Sequence, residues 1–147
     1  PIRTALQTSV ASGYAAFLDH KATYGSSPSF YLYSAQTFRQ AGAPPSLCLK
    51  IATNVVEKFL CNAQTCRVVA YFVLSLGLSD LAVAAFENVI TLAPEEPQSQ
   101  TDLAFARFFR LRETLGTIRE RKLSVDATQQ AQVELQGIIT LLVFVGA

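Results

Sequence analysis

A catalytic or metal centre needs nucleophiles, bases and ligands at workable spacing, and this chain supplies few of them. Its one histidine, His20, sits in Leu18-Asp19-His20-Lys21, and no second histidine completes a metal site or an acid–base pair. Near the end of an expected helix, it suits C-terminal charge compensation or plain solvation. Cys48, Cys61 and Cys66 are odd in number and lie in apolar helical patterns. They are expected as buried free thiols in an intracellular reducing compartment, not as a secreted disulfide framework. Cys61 and Cys66 are spaced too widely for a C-x-x-C motif, and no Cys/His pair completes a zinc site. There is no G-x-S-x-G elbow and no phosphate-cradling G-x-x-x-x-G-K-[ST] or G-x-G-x-x-G loop. Glu95-Glu96 between two prolines has enough charge to recruit a cation, but its place suits the positive N-terminus of the helix that follows. The expectation is a protein that is not an enzyme, with no cofactor and no metal.

Composition agrees with that expectation. The 147 residues are 50% hydrophobic and only 16% charged, with 12 basic against 11 acidic side chains and a net charge of +1. Half-apolar chains of this length fill a core. A near-neutral balance supplies no general field for nucleic acid, so none is expected as a partner. There is no methionine, which suggests a piece of a longer or processed chain. Pro1-Ile2-Arg3 opens without the apolar core of a signal peptide. The apolar run between Arg67 and Asp80, and the tail from Gly137 to Ala147, fall far short of the ~20 residues that span a bilayer. A membrane is not expected as a partner.

The elements that would position a site are helices. Gly25-Ser26-Ser27-Pro28, Ala41-Gly42-Ala43-Pro44-Pro45, Cys61-Asn62, Gly77 and Pro94-Glu95-Glu96-Pro97 punctuate segments with helical, not alternating, apolar periodicity. From Ala63 to Gly77 apolar residues run nearly round the helix, so neighbours are expected on several sides. From Ser79 to Leu92 they form one stripe, with Ser79 as the expected N-cap and Asp80 complementing the dipole. Ala82, Phe86, Val89 and Pro94 stand at the small, aromatic, small and proline positions of a tetratricopeptide-like second helix. That register makes residues 63–96 one repeat of roughly 34 residues, with Ala70 at the small position of its first helix. The fold class is therefore all-α, an α-solenoid of tetratricopeptide-like antiparallel helix pairs with about seven helices. Residues 1–147 form one domain: an opening helix at about 3–20, then repeats at about 29–62, 63–96 and 97–146. An insertion is expected near 114–124.

Two stretches carry a more specific likeness. Ser27 to Gly42 (SPSFYLYSAQTFRQAG) and Leu81 to Ala104 (LAVAAFENVITLAPEEPQSQTDLA) resemble the helical-repeat region of VIT and von Willebrand factor A domain-containing proteins. Gly13 to Gly25 resembles the opening helix of that region, and Leu135 to Gly146 its closing helix. The likeness covers about 100 residues and implies a helical module attached to other domains. The Ser-Asn-Leu usual after the first turn is missing, with Thr53-Asn54-Val55 the nearest match. Gly116 to Lys122 reads as inserted.

In the repeat register the first helices line a concave wall. Phe30, Tyr33 and Thr37 are placed on it from the first pair, Gln64, Arg67, Tyr71 and Ser75 from the second, and Gln98, Thr101, Phe105 and Phe108 from the third. Aromatics beside an arginine suit a peptide or helix ligand. The same side chains would equally serve packing against the parent protein or a neighbouring subunit, and both alternatives stand. Gln64 and Val68 occupy the positions where a carboxylate clamp would hold lysine and asparagine, so capture of a C-terminal carboxylate is not expected. Five acidic residues and no basic one lie between Asp80 and Asp102, followed by a basic set of Arg107, Arg110, Arg112, Arg119, Arg121 and Lys122. Pairing with the preceding acidic helix, or solvation, explains that patch better than nucleic acid. The resulting expectation is a non-catalytic protein–protein interaction or scaffold module, with a structural spacer as the alternative and a catalytic helical domain a distant third. The apolar closing segment Ile138 to Val145 is expected to contact something beyond the domain and to promote self-association.

Overall fold

The computed structural model describes residues 1–59, 62–121 and 125–146, with side chains outside 118–128 and 141–147. The described residues form eight helices and no strand. They divide into two compact units, Pro1–Cys61 and Asn62–Ala147.

The first unit contains α1 (Ile2–Thr8), α2 (Val10–Tyr24), α3 (Pro28–Gln40) and α4 (Pro45–Lys58). The single opening helix expected over about 3–20 is two helices, because Ser9 breaks it. Ser9 is extended, at φ −166° and ψ 160°, and its side chain accepts a hydrogen bond from the Ser12 backbone N–H at 3.0 Å. A serine hydroxyl competes with the backbone in this way and makes a good N-cap, so the helix restarts at Val10. The two short helices then approach closely at Gly13, where an added Cβ would lie 2.4 Å from a Leu6 methyl group. A side chain there would require Leu6 to shift. Pro28 and Pro45 begin α3 and α4, where a missing N–H costs nothing. The core is largely aromatic: Phe17, Tyr31 and Phe38 are buried, and Phe17 meets Tyr31 and Phe38 edge-on at 6.3 and 6.4 Å. Cys48, Ile51, Ala52 and Val55 of α4 close it.

The second unit contains α5 (Ala63–Ser75), α6 (Ser79–Leu92), α7 (Pro97–Arg121) and α8 (Val125–Gly146), each packed on the next in sequence. Asn62 caps α5 by accepting from the Thr65 N–H at 2.8 Å. The turn between α5 and α6 repeats the one between α3 and α4. Gly42 and Gly77 both have positive φ, at 75° and 74°. In each case the following N–H reaches back to a carbonyl five residues earlier, Ala43 to Phe38 and Leu78 to Val73. This is the glycine stop that satisfies the last helical carbonyls. The small and aromatic positions of the register are filled as the spacing requires: Ala70, Ala82, Phe86 and Val89 are fully buried.

Two local expectations are corrected in this unit. Leu78, not Ser79, precedes α6, and no side chain caps that end. The Ser79 hydroxyl instead donates to Glu113 Oε2 of α7 at 2.5 Å, so a tertiary carboxylate takes what local capping would have used. The insertion expected near 114–124 is helical through Arg121 and simply lengthens α7. Thr114 and Thr117 turn their hydroxyls onto the Arg110 and Glu113 carbonyls of the same helix, and a Cβ added at Gly116 would meet open space. No helix of the described residues is long and apolar enough to cross a membrane.

Of the cysteines, Cys48 follows expectation and Cys66 departs from it. Cys48 is a buried free thiol, 3.7 Å from the Ala43 carbonyl, and burial raises its pKa. Cys66 is disulfide-bonded, so the expectation of free thiols throughout fails there. An odd cysteine count is compatible with a bridge, and the reducing-compartment argument loses its premise at Cys66. Cys61 lies outside the described residues.

Candidate functional site

The second unit joins a buried ionic network to an exposed apolar wall. The network begins at Arg67 of α5, which is 8% exposed. Its Nε donates to Asp102 Oδ2 of α7 at 2.7 Å, its Nη1 to Gln64 Oε1 at 2.9 Å and its Nη2 to Ser99 Oγ at 3.1 Å. The same Nη2 also pairs with Glu96 in the turn before α7. Asp102, 1% exposed, accepts from the Tyr71 hydroxyl and the Gln98 amide on its other oxygen, each at 2.5 Å.

A guanidinium has five donors, and burying it is tolerable only where carboxylates and neutral acceptors meet most of them; here four hydrogen bonds do so. The Glu96 hydrogen bond, reinforced by Asp102, raises the Arg67 pKa despite burial. Burial and the hydrogen bond to Asp102 push the Tyr71 hydroxyl up to about 12. In this network Asp102 accepts from three donors and Glu96 gives one oxygen to Arg67 and Ser99, and no group of three metal-ligating side chains stands among the described residues. What it does is clamp α5 to the start of α7.

The wall is built on those two clamped helices. Val68 and Tyr71 of α5 are 40% and 39% exposed, and Phe105 and Phe108 of α7 are 48% and 47% exposed. Tyr71 leans its ring edge-on against buried Phe86 at 4.9 Å. Phe105 and Phe108, with Thr101 and Ala104 behind them and Ile138 of α8 opposite, line an apolar cleft of about 260 Å³.

The residues expected on a partner groove therefore separate into three groups. Tyr71, Phe105 and Phe108 stand on an open surface, with Gln64 exposed beside Arg67. Arg67 is corrected: its guanidinium is buried in an ion pair and is not offered to a ligand. Its acidic partners lie on α7 and in the turn before it, about one repeat away in the chain. Phe30 and Tyr33 belong to the first unit. Phe30 is corrected as well: it is half-buried, its ring stacked on Phe17 at 5.4 Å and lying near Tyr24 at the edge of the aromatic core. Tyr33 is exposed, and buried Thr37 donates its hydroxyl to the Tyr33 carbonyl at 2.8 Å.

The basic patch is also dispersed. Arg107 pairs with Glu87 of α6 at 3.0 Å, and Arg110 pairs with Glu134 of α8 and lies 4.0 Å from Asp80. Arg112 is exposed, with its guanidinium 5.0 Å from the Phe109 ring centroid. The side chains of Arg119, Arg121 and Lys122 lie outside the described residues, as do those of the closing segment beyond Thr140. His20 points its Nδ1 at the Ala16 carbonyl at 2.9 Å and stacks near Tyr24, an ordinary helix-surface role.

Asp102, Ser99 and Glu96 complete the network around Arg67, a role not assigned to them from the sequence. A signal for them existed. Arg67 and Asp102 are 35 residues apart and Ser79 and Glu113 are 34 apart, about one repeat in each case, so the register itself aligns opposite partners on neighbouring helices. A second cleft of about 280 Å³ lies in the first unit between α1 and the end of α3, lined by Arg3, Gln7 and Gln40 among others. An arginine beside the last turn of a helix is accounted for by its dipole. Comparison with protein-family models, with curated proteins and with solved structures finds no match to this chain.

Proposed function

We propose that the chain is a non-catalytic protein-interaction module whose contact face is the α5–α7 wall of the second unit. One observation carries this reading: four large apolar side chains, Val68, Tyr71, Phe105 and Phe108, stand exposed on helices held in register by a buried ionic network. Partly exposed aromatics on a rigid surface are the side chains from which binding hot spots are made, because little conformational entropy is lost when they dock. The tetratricopeptide-like register of residues 63–96 supports the reading, since it turns first helices toward a ligand. The resemblance to the region following VIT and von Willebrand factor A domains supports a place beside other domains in a larger protein.

The test is a pull-down from the native source with the wild type and with Phe105→Ser/Phe108→Ser. The expected result is a partner lost from the variant while its urea midpoint stays unchanged. Equal recovery of partners by both would overturn the reading. Arg67→Glu is unsuitable as the binding variant because it would break the buried network.

The alternative, a spacer packed within a larger assembly, is favoured by a different observation. Val133, Leu135 and Ile139 of α8 are exposed, Val133 to 71%. On that reading the α8 substitutions Val133→Ser and Ile139→Ser disrupt assembly of the parent protein, and those in the wall do not.

A further inference from the structure

The wall has an unpaired charge at each end; Arg107 and Arg110, between them in the chain, are paired with Glu87 and Glu134. At one end Glu95 and Glu96 are exposed in the turn before α7. Glu96 gives one carboxylate oxygen to Arg67 and Ser99, yet its side chain stays 44% exposed. Glu95 forms no hydrogen bond or ion pair among the described residues. At the other end stands Arg112, which continues the exposed face of α7 through Phe105 and Phe108 at helical spacing. Between them the charges of Arg67 and Asp102 cancel below the surface, leaving Val68, Tyr71, Phe105 and Phe108. The stretch from Glu96 to Arg112 along α7 is about four helical turns.

Resting on the contact face proposed above, we propose that the wall receives an amphipathic helix of about four turns, basic at one end and acidic at the other. Its apolar stripe lies over Phe105 and Phe108, its lysine or arginine end over Glu95 and Glu96, and its carboxylate end over Arg112. Charge complementarity selects this occupant. A uniformly acidic helix meets repulsion at the α6–α7 turn, and a uniformly basic one meets it at Arg112. A helix suits the site because apolar side chains at i, i+3, i+4 and i+7 match a strip of exposed aromatics along a single helix. Its own dipole adds to the match when its N-terminus lies at the acidic end.

The test uses two stapled synthetic helices with the same leucine stripe. One has lysines in its first turn and glutamates in its last; the other has glutamates at both ends. The staple removes the difference in helicity that terminal charges would otherwise impose. Binding is followed by fluorescence anisotropy on the full chain. The bipolar helix is expected to bind about threefold to tenfold tighter, the range that a surface ion pair exchanged for a repulsion supports. Glu95→Lys is expected to remove that preference without changing the circular dichroism melt.

Phe105→Asp/Phe108→Asp is expected to abolish binding of both helices. If both bind equally and this variant loses both, the charge proposal is overturned while the contact face stands. If neither binds, a helical occupant is overturned, and the pull-down above still decides the contact face independently. A wild-type dimer in sedimentation that Phe108→Asp converts to monomer would assign the face to a second copy and overturn the proposal.

Discussion

The two units solve the same packing problem with different chemistry. In α1–α4 the core is closed by rings: Phe17, Phe30, Tyr31 and Phe38 meet one another at centroid distances of 5.3 to 6.4 Å. Its polar groups are few: the Tyr31 hydroxyl donates to the Gly25 carbonyl at 3.0 Å and accepts from Lys58 Nζ at 3.0 Å, and the buried Ser34 hydroxyl has no hydrogen-bond partner among the described residues. In α5–α8 the aromatics Phe105 and Phe108 face outward, and the helices are tied by ionic contacts. Every ion pair among the described residues belongs to this unit. Apolar burial is non-directional and tolerates small shifts, whereas a buried arginine paired with two carboxylates holds one geometry. The second unit is thus the one in which a rigid exposed face can be kept.

The largest effect that tests this contrast is at Asp102. Asp102→Ala leaves the Arg67 guanidinium short of its buried partner and should destabilise the second unit by about 3–5 kcal/mol. Urea denaturation read through probes in each unit checks this; a loss below about 1 kcal/mol would show that the clamp is not what holds α5 to α7. Replacing Arg67, Glu96 and Asp102 together by apolar residues of similar size should cost far less, because no charge is then stranded.

A smaller effect is expected at the α1–α2 contact of the first unit. Gly13→Ala crowds Leu6, costing about 1–3 kcal/mol by overpacking, against about 1 kcal/mol regained in helix propensity. A net loss near 1 kcal/mol is expected, and Leu6→Ala in the same chain should relieve it. Thermal melts of the two variants decide the matter. A Gly13→Ala protein as stable as the wild type would mean that the close approach is not constraining.

Alkaline titration separates the units by pH. The Tyr71 pKa is raised to about 12 by burial and by its hydrogen bond to Asp102, above the ordinary tyrosine value near 10. Its contribution is fully present below pH 10 and is lost as pH rises through about 12, when a phenolate would face the Asp102 carboxylate. The effect should be modest, since the ring is 39% exposed and solvent screens part of it. Tyr71→Phe should remove this pH-dependent loss from denaturation profiles; an unchanged profile would sink the assignment.

The smallest stability effect belongs to the wall. Phe105→Ser/Phe108→Ser should stay within about 1 kcal/mol of wild type, as expected for two exposed positions. A larger loss in calorimetry would mean that these rings belong to the core of the second unit.

The helices and much of their pairing were legible without coordinates, because punctuation and periodicity are local. Pro28, Gly42, Pro45, Gly77 and Pro97 set where helices begin or end through fixed φ, missing N–H groups or positive φ, and all act as their types require. Ala70, Ala82, Phe86 and Val89 were recognisable as core from spacing alone. The exposed wall was legible in part, since a helical register projects Tyr71, Phe105 and Phe108 to one side whatever packs behind them. The split of the opening helix at Ser9 was a local choice between capping and continuing, close in energy, and it was misread.

Whether a polar side chain faces water or a partner is not local, and there the tertiary structure decided. Arg67 has the composition of a ligand-binding residue, but Asp102 and Glu96, some thirty residues away, withdraw it from solvent. Ser79 has the composition of a cap, but Glu113 takes its hydroxyl. Phe30 has the spacing of a wall residue, but Phe17 and Tyr24 of the preceding helix hold its ring. Helix period and turn chemistry depend on neighbours within a few residues. Desolvation of a charge depends on what the fold brings to within about 3 Å of it.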